Sequence, residues 1–340
     1  QIQHNTRILC QLDGEKGISL MGVSRAVLGE PLIAKAMIQG GVKFIADSRL
    51  ENIQRMKNAG ISTQFVLLRT PLSQAESIVQ NVDISFNTEI ETLEKLNYYA
   101  KIHNKVHQII LMVEMGDLRE GILPCDIFLF IKKVLSLSHI KIMGLGCNLA
   151  CFGGIKPDNQ KMWQLSVLTN GMEQEFHINL PLISGGNSAN YEWFKSAQKV
   201  GRINNLRLGE SILLGCETLN RQVIPELHTK AFKLIAEVIE SKSKPSLPFG
   251  EISQDAFGNV PIFRDRGMHR RVIIALGKQD TLISGLSCQG DLEILGSSSD
   301  HVVLDSKNSY LKVGVGVDFN LDYGSLLAAM TSPFIKKQFI

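Results

Sequence analysis

Cations, glycines and small polar residues follow several apolar runs of this 340-residue sequence, and these positions could do chemistry. Arg25 follows the apolar run 18–23, and Glu30-Pro31 opens an amphipathic pattern soon after it. An apolar run, a short loop and a helix started by proline are typical of a buried parallel strand entering a βα unit. If that strand is the first of a (β/α)8 barrel, Arg25 lies at the mouth where such barrels do their chemistry.

Two glycine-containing turns, 184–190 and 206–210, have the composition of an anion site. Glycines allow a close backbone approach, while the Ser188 hydroxyl and the amides of the following helices would be hydrogen-bond donors. Barrels often hold a phosphate at the ends of strands seven and eight. Taken alone, the Gly-Gly-Asn-Ser sequence is equally consistent with a simple turn.

Three further polar residues lie in turns. Arg119 lies in the loop after the run 109–114 and could meet a carboxylate, although a solvated loop charge is the alternative. Asn148 follows the run 140–145, either as a ligand contact or in a turn shaped by glycines. Asp300 beside His301 suggests acid–base chemistry or a surface turn.

The elements that must position these residues alternate between apolar runs and helical patterns up to about residue 220. The predicted strands are 18–24, 42–46, 64–68, 83–86, 108–114, 140–145, 181–184 and 204–208. This alternation indicates an α/β fold, and the unit spacing favours a (β/α)8 barrel over a doubly wound open sheet.

The pattern changes near residue 227, where short strands bounded by Gly, Ser, Asp and Pro indicate a β domain. We therefore predict a barrel over 1–226 and a C-terminal β domain over 227–340. The segment 241–248 is linker-like in composition.

The composition excludes several classes of function. The net charge of +3, without basic clusters, gives no reason to expect nucleic acid as a partner. No apolar run approaches the roughly 20 residues that a membrane helix needs, and the first residues lack the apolar core of a signal peptide, so we expect a cytoplasmic protein without membrane association. Six cysteines are too sparse for a disulfide scaffold and lack zinc spacing, so we expect no metal site.

Taken together and in order, these stretches resemble the fold-type III pyridoxal-phosphate (PLP) amino-acid racemases, the alanine racemase group, and within it the ornithine racemase-like branch. The resemblance runs over essentially the whole chain. Its motifs are Ala-Asp-Ser-Arg (46–49), Asn-Leu-Ala (148–150), Ser-Gly-Gly-Asn-Ser-Ala-Asn (184–190), Leu-Arg-Leu-Gly-Glu (206–210), Gln-Asp-Ala-Phe-Gly (254–258), Ser-Ser-Asp-His (298–301) and the stretch 323–333.

The resemblance implies a PLP-binding barrel followed by a β domain, and a homodimer in which each β domain completes the partner's site. It implies a racemase that interconverts L- and D-amino acids by proton transfer at Cα. The implied roles are phosphate binding by Ser188, Gly209, Glu210 and Tyr323, a pyridine-nitrogen contact by Arg207, a position near the ring for Asn148, and substrate contacts by Arg119 and Asp300.

The sequence departs from the family pattern at two places. Arg25 stands where the family has the lysine that forms the Schiff base with PLP, and a guanidinium can neither form that bond nor act as a base. Gln254, with Asp255 beside it, stands where alanine racemases have a tyrosine base. Two hypotheses remain: a PLP-dependent racemase with an altered set of bases, or a protein that binds PLP or an amino-acid adduct noncovalently without turnover. Arg25 could also be an engineered or sporadic change.

Overall fold

The first part of the chain is a closed barrel of eight parallel strands in sequential order. The computed structural model describes residues 1–307 and 309–340. The barrel strands are β1 (Ser19–Val23), β2 (Phe44–Asp47), β3 (Gln64–Leu67), β4 (Ile84–Asn87), β5 (His107–Met112), β6 (Ile140–Gly146), β7 (Ser184–Asn187) and β8 (Asn205–Leu208). β1 pairs with β8 from Ser19↔Asn205 to Gly22↔Leu208, which closes the ring. The predicted barrel is thereby confirmed, and the doubly wound sheet is wrong.

An α-helix precedes β1, further α-helices connect successive barrel strands, and another follows β8. They are α1 (Ile2–Gly14), α2 (Pro31–Gln39), α3 (Leu50–Asn58), α4 (Ala75–Asn81), α5 (Ile90–Ile102), α6 (Ile127–Val134), α7 (Asn159–Phe176), α8 (Tyr191–Ser196) and α9 (Glu210–Leu214). The sequence starts α2 sharply, because Pro31 occupies its first turn, where a missing backbone N–H costs nothing. Inward-facing residues of the strands form a buried core that includes Met21, Val66, Phe86 and Ile110.

β7 lies three residues later than the sequence pattern predicts. The apolar run 181–183 precedes the strand, and the strand itself reads Ser-Gly-Gly-Asn. Gly144 of β6 lies against the Leu182 carbonyl, and a Cβ at residue 144 would overlap that oxygen. The apolar run 181–183 therefore leads into the strand, and the first four residues of the predicted anion turn 184–190 form β7 itself.

Contacts divide the chain into two units, Gln1–Ala231 and Phe232–Ile340, and the second unit is an antiparallel sheet with its own core. This division lies five residues after the expected boundary. The strands of the second unit are β9 (Leu234–Pro245), β10 (Met268–Ile274), β11 (Leu286–Cys288), β12 (Glu293–Ser297), β13 (Val302–Asp305) and β14 (Gly316–Leu321), followed by α10 (Tyr323–Thr331). Their order in the sheet is β11-β14-β9-β10-β13-β12.

The predicted linker at 241–248 is wrong, because residues 241–245 form the second half of β9. They pair with β10 from Ser241↔Val272 to Pro245↔Met268. Polar residues suit this half of the strand because it is largely exposed, whereas Leu234, Ala236 and Val238 alternate into the core. Among the described residues, no helix is long and apolar enough to cross a membrane.

Candidate functional site

Arg25 begins a single 3-10 turn, Arg25–Val27, directly after β1. The backbone beneath it is fixed, because Ser24 donates its N–H to the Ala46 carbonyl (3.0 Å) and its hydroxyl to Asp47 Oδ2 (2.7 Å). Asp47 Oδ1 also accepts from the Arg49 amide (2.9 Å), and burial raises the pKa of the Asp47 carboxyl. The carboxyl ends of β1 and β2 are therefore tied together at the mouth of the barrel.

Arg207 lies on β8 and is only 5% exposed. Its Nη1 donates to Ser184 Oγ (2.6 Å), and its Nη2 donates to the Cys147 carbonyl (2.8 Å) and to Asn148 Oδ1 (3.3 Å). Burial lowers the pKa of this guanidinium to about 10, so it remains charged at neutral pH. A fixed cation thus lies inside the mouth, held by β7 and by the turn after β6.

Asn148 connects this cation to the neighbouring turn. Its Oδ1 also accepts from Asn187 Nδ2 (3.1 Å), at the end of β7. Asn148 is buried, and its Nδ2 has no hydrogen-bond partner within 1–307 and 309–340.

The turns after β7 and β8 lie next to each other. Ser188 Oγ accepts from the Ser211 amide (3.2 Å), in the first turn of α9. Gly209 precedes α9, and a Cβ there would come within 3.2 Å of Val23 Cβ at the end of β1. Glu210 begins α9, and its side chain forms an ion pair with Arg221. Ser188, Gly209 and the backbone of Glu210 therefore lie close together, beside the strand that leads to Arg25.

Arg119 lies in the loop after β5 and forms an ion pair with the adjacent Glu120. That pair, together with the nearby Asp117 and Cys151, raises the pKa of Arg119 and keeps its guanidinium charged. The side chain is partly exposed, so its charge lies at the rim of the mouth.

Two buried carboxylates in the same loop were missed from the sequence. Asp117, 1% exposed, accepts from the amides of Cys151 (3.2 Å), Phe152 (3.0 Å) and Ile155 (3.4 Å). Glu114 Oε1 accepts from the Gly116 and Leu118 amides (2.6 and 3.1 Å). Asp117 thus joins the loop after β5 to the loop after β6, and Glu114 fixes the loop after β5 itself. The sequence Glu-Met-Gly-Asp (114–117) could have identified these carboxylates, because it places two acidic residues and a glycine at the end of a buried strand.

In the second unit, Gln254 and Asp255 lie in an exposed segment. Asp255 Oδ1 accepts from the amides of Phe257 (2.8 Å) and Asn259 (2.9 Å), and these bonds lower the pKa of its carboxyl.

Asp300 lies in an exposed turn, with Oδ1 2.7 Å from His301 Nδ1, and this hydrogen bond lowers the pKa of the Asp300 carboxyl. Lys278 links this turn to the Asp255 segment, because its amide donates to the Ser298 carbonyl (3.0 Å) and its ammonium lies over the Phe257 ring (3.4 Å). Tyr323 is the first residue of α10, in the second unit.

The structure thus brings Arg207, Asn148, Ser188 and Gly209 together at one mouth, with Arg119 at its rim. It also brings Asp255 and Asp300 to one edge of the second unit. The roles suggested for these residues stay predictions.

Comparison with known proteins identifies the family of this chain. Residues 1–216 match the family model "Alanine racemase, N-terminal domain". An ornithine racemase from Acetoanaerobium sticklandii is 39% identical over 345 residues, covering 100% of this chain and 97% of that protein. A lysine racemase from Thermotoga maritima is 36% identical over 343 residues, covering 99% and 95% of the two chains.

Solved structures share the fold at low sequence identity. The crystal structure of alanine racemase from Streptomyces lavendulae has a TM-score of 0.74 at 13% identity, covering 96% of this chain and 92% of that one. A D-threonine aldolase from Filomicrobium marinum reaches 0.73 at 11% identity, covering 97% and 85%. With the family model matching more than half of its length, this chain belongs to the alanine racemase family.

Proposed function

We propose that this chain is a PLP-dependent amino-acid racemase that acts on a basic amino acid such as ornithine or lysine. The observation that carries the proposal is Arg207, a buried guanidinium held by Ser184, Cys147 and Asn148 at the mouth of the barrel. The two relatives that match nearly the whole chain, named for ornithine and lysine, support the substrate class.

Two unpaired polar atoms in the barrel fit a cofactor with a phosphate and a polar ring. Ser211 Oγ and Asn148 Nδ2 are buried without a hydrogen-bond partner in the described part of the chain. Leaving such an atom unpaired costs roughly 1–3 kcal/mol. One lies in the turn expected to hold the phosphate, and the other lies beside Arg207. The residues therefore fit PLP, which supplies, when bound, an electron-withdrawing ring that acidifies Cα of an attached amino acid.

Each residue then has a physical role. The Ser188 hydroxyl, which accepts one bond from Ser211, still has a proton to donate to a phosphate oxygen. The amides of Gly209 and Glu210 lie at the start of α9 and are donors of the same kind. Arg207 does not give up its proton, so it leaves the pyridine nitrogen neutral.

We also propose a homodimer in which the edge bearing Asp255 and Asp300 completes the partner's site. Hydrogen bonds keep the pKa of both carboxyls low, so both are anionic at neutral pH. Two anionic groups suit the cationic side chain of a basic amino acid. A low pKa also makes Asp255 a weak base.

A second candidate function is favoured by Arg25. Its guanidinium cannot form the covalent bond that a lysine forms with PLP, and it cannot accept a proton from Cα. Removing a group that does covalent and proton-transfer work typically costs several powers of ten in rate. This candidate is a protein that binds PLP noncovalently and does not racemise.

One experiment separates the two functions. The parent protein, Arg25→Lys and the matched control Arg7→Lys, at an exposed position on α1, are mixed with PLP and reduced with borohydride, and the label is mapped by peptide mass. Racemisation of ornithine, lysine, alanine and serine is assayed in parallel.

Turnover by the parent, with PLP fixed to one of its lysines, would support the racemase and sink the second candidate. The second candidate would be established if the parent binds PLP only noncovalently and if Arg25→Lys alone gains both a covalent bond at residue 25 and turnover. If no variant binds PLP, both functions are wrong.

A further inference from the structure

The backbone of Arg25 occupies a fixed place beside the proposed phosphate turn. Val23, two residues earlier, lies against Gly209, and Gly22 pairs with Leu208. The chain then turns tightly, because the Leu28 amide donates to the Arg25 carbonyl (3.3 Å) and Leu28 has a left-handed φ of 54°. Residue 25 is thus held at the mouth by β1, by β8 and by its own turn.

The same turn packs closely on α3. Gly29 has a φ of 57°, and a Cβ there would come within 2.8 Å of Asn52. Asn52 in turn donates to Asp47 Oδ1 (3.0 Å), the carboxylate that binds Ser24. When the backbone of a residue is fixed on both sides, its Cα and Cβ keep one position. Less conformational entropy is then lost when the side chain binds a ligand.

A guanidinium at this place recognises different chemistry from a lysine. An unprotonated lysine amine attacks an aldehyde carbon, whereas arginine stays protonated and presents a planar fork of N–H donors. That fork matches the two oxygens of a carboxylate, and hydrogen bonds between charged groups are about twice as strong as neutral ones. An aldehyde offers one neutral oxygen, and an ammonium would be repelled.

We propose that Arg25 binds a carboxylate of the ligand. The carboxylate would lie where, in the family, a lysine bonds to the 4′ carbon of PLP, so this inference rests on the proposed cofactor pocket. The ligand is then a phosphorylated pyridine ring with a carboxylate at its 4′ carbon or close to it. The carboxylate has two possible sources: the 4′ carbon itself in its oxidised form, as in 4-pyridoxic acid 5′-phosphate, or an amino acid already joined to the 4′ carbon through its nitrogen.

Binding calorimetry tests the proposal with ligands that share the ring and the phosphate. Three of them differ only at the 4′ position: PLP, 4-pyridoxic acid 5′-phosphate and pyridoxamine 5′-phosphate. Two more, N-(5′-phosphopyridoxyl)-L-ornithine and N-(5′-phosphopyridoxyl)-putrescine, differ only by the amino-acid carboxylate. For the parent protein we expect a preference of about tenfold or more for the carboxylate-bearing member of at least one set, as one charge-assisted hydrogen bond provides.

The set that shows the preference identifies the source of the carboxylate. Arg25→Met, which keeps the apolar stem and removes the charge, is expected to reduce the preference to less than threefold while retaining phosphate binding. If the parent protein binds all members of each set with equal affinity, the inference is overturned while the proposed cofactor pocket stands. This outcome is read from the parent protein alone. A preference that survives Arg25→Met would also overturn it. If none of the five ligands binds, the proposed function fails together with the inference.

Discussion

At the scale of single residues, Asp117 shapes the loops around the site through its hydrogen bonds. Its carboxylate gathers three amides of the loop after β6, and its carbonyl accepts from Gly153 (3.0 Å). A Cβ at Gly153 would come within 2.7 Å of that carbonyl, so glycine is needed for the close approach. The same loop carries Asn148, so Asp117 acts on the site by positioning its neighbours.

Replacing Asp117 with asparagine should therefore loosen this loop. The amide keeps one acceptor and introduces donors that face other donors, so we expect a loss of about 1–3 kcal/mol in the free energy of unfolding. We also expect weaker PLP binding and faster reaction of the Cys151 thiol with a disulfide reagent, because Asp117 holds the Cys151 amide. Urea unfolding, calorimetry and thiol kinetics measure these three effects.

The matched control is Asp126→Asn, since the Asp126 side chain is exposed and makes no capping bond to α6. Equal thiol kinetics in the parent and Asp117→Asn would contradict the positioning role, even if stability fell.

Residues of this kind set the limit of prediction from sequence. Arg25 was found because it follows an apolar strand, where barrels place their sites, whereas Arg207 was found through the resemblance to the racemase family. Asp117 was missed because its partners lie 34 to 38 residues away, and only the folded chain brings them together.

At the scale of elements, strand prediction succeeded where burial is two-sided. β1 was predicted at 18–24 and observed at Ser19–Val23, because a mainly apolar run suits a strand buried between helices and barrel core. β7 was predicted three residues too early and the end of β9 was predicted as a linker, because both segments consist largely of glycine or polar residues. Apolar periodicity carries no signal for such strands.

The contact between β4 and β5 makes the stability of the fold sensitive to acid. His107 opens β5 with Nε2 2.8 Å from Ser85 Oγ on β4, and burial lowers the pKa of His107 to about 4. An unfolded histidine titrates near 6.5, so the unfolded chain binds this proton first as the pH falls. We expect His107 to reduce the free energy of unfolding by up to about 3 kcal/mol between pH 6.5 and pH 4.

Urea unfolding of the parent and His107→Gln at pH 7 and pH 4.5 measures this contribution as the difference between the two proteins. Asp13 on α1 makes the folded state more stable as the pH falls, because burial raises the pKa of its carboxyl to about 7. Both proteins contain Asp13, so its contribution cancels in the difference. His177→Asn, an exposed helix-end position, should behave like the parent. If His107→Gln keeps the full acid sensitivity, His107 is not its source.

At the scale of the whole molecule, each unit has a core of its own, and the second also exposes a large apolar segment. Within residues 246–267, Phe249 is 92% exposed and Ile262 is 96% exposed, and several other apolar side chains lie open beside them. Exposed apolar patches of this kind mark interaction surfaces. The proposed occupant is a second copy of this chain.

We therefore expect the protein to sediment at twice the chain mass at micromolar concentration. The double variant Phe249→Ser with Ile262→Ser should shift it toward the monomer, because two large apolar side chains no longer gain by burial. Leu129→Ser, an exposed leucine on α6, serves as the control and should leave the dimer unchanged. Sedimentation velocity over a concentration series gives the answer, and a parent monomer throughout would refute the dimer.

The sparse pairing around β7 has a mechanical consequence. β6 and β7 share a single registered pair, Gly146↔Ser184, and the register shifts between β7 and β8. Arg207 spans this seam, with one end of its guanidinium on Ser184 and the other on Cys147. Hydrogen bonds from one guanidinium thus add to the backbone pairing between β6, β7 and β8. A substitution that removes the Arg207 guanidinium therefore removes two roles at once: a charge inside the mouth and a link between neighbouring strands of the barrel wall.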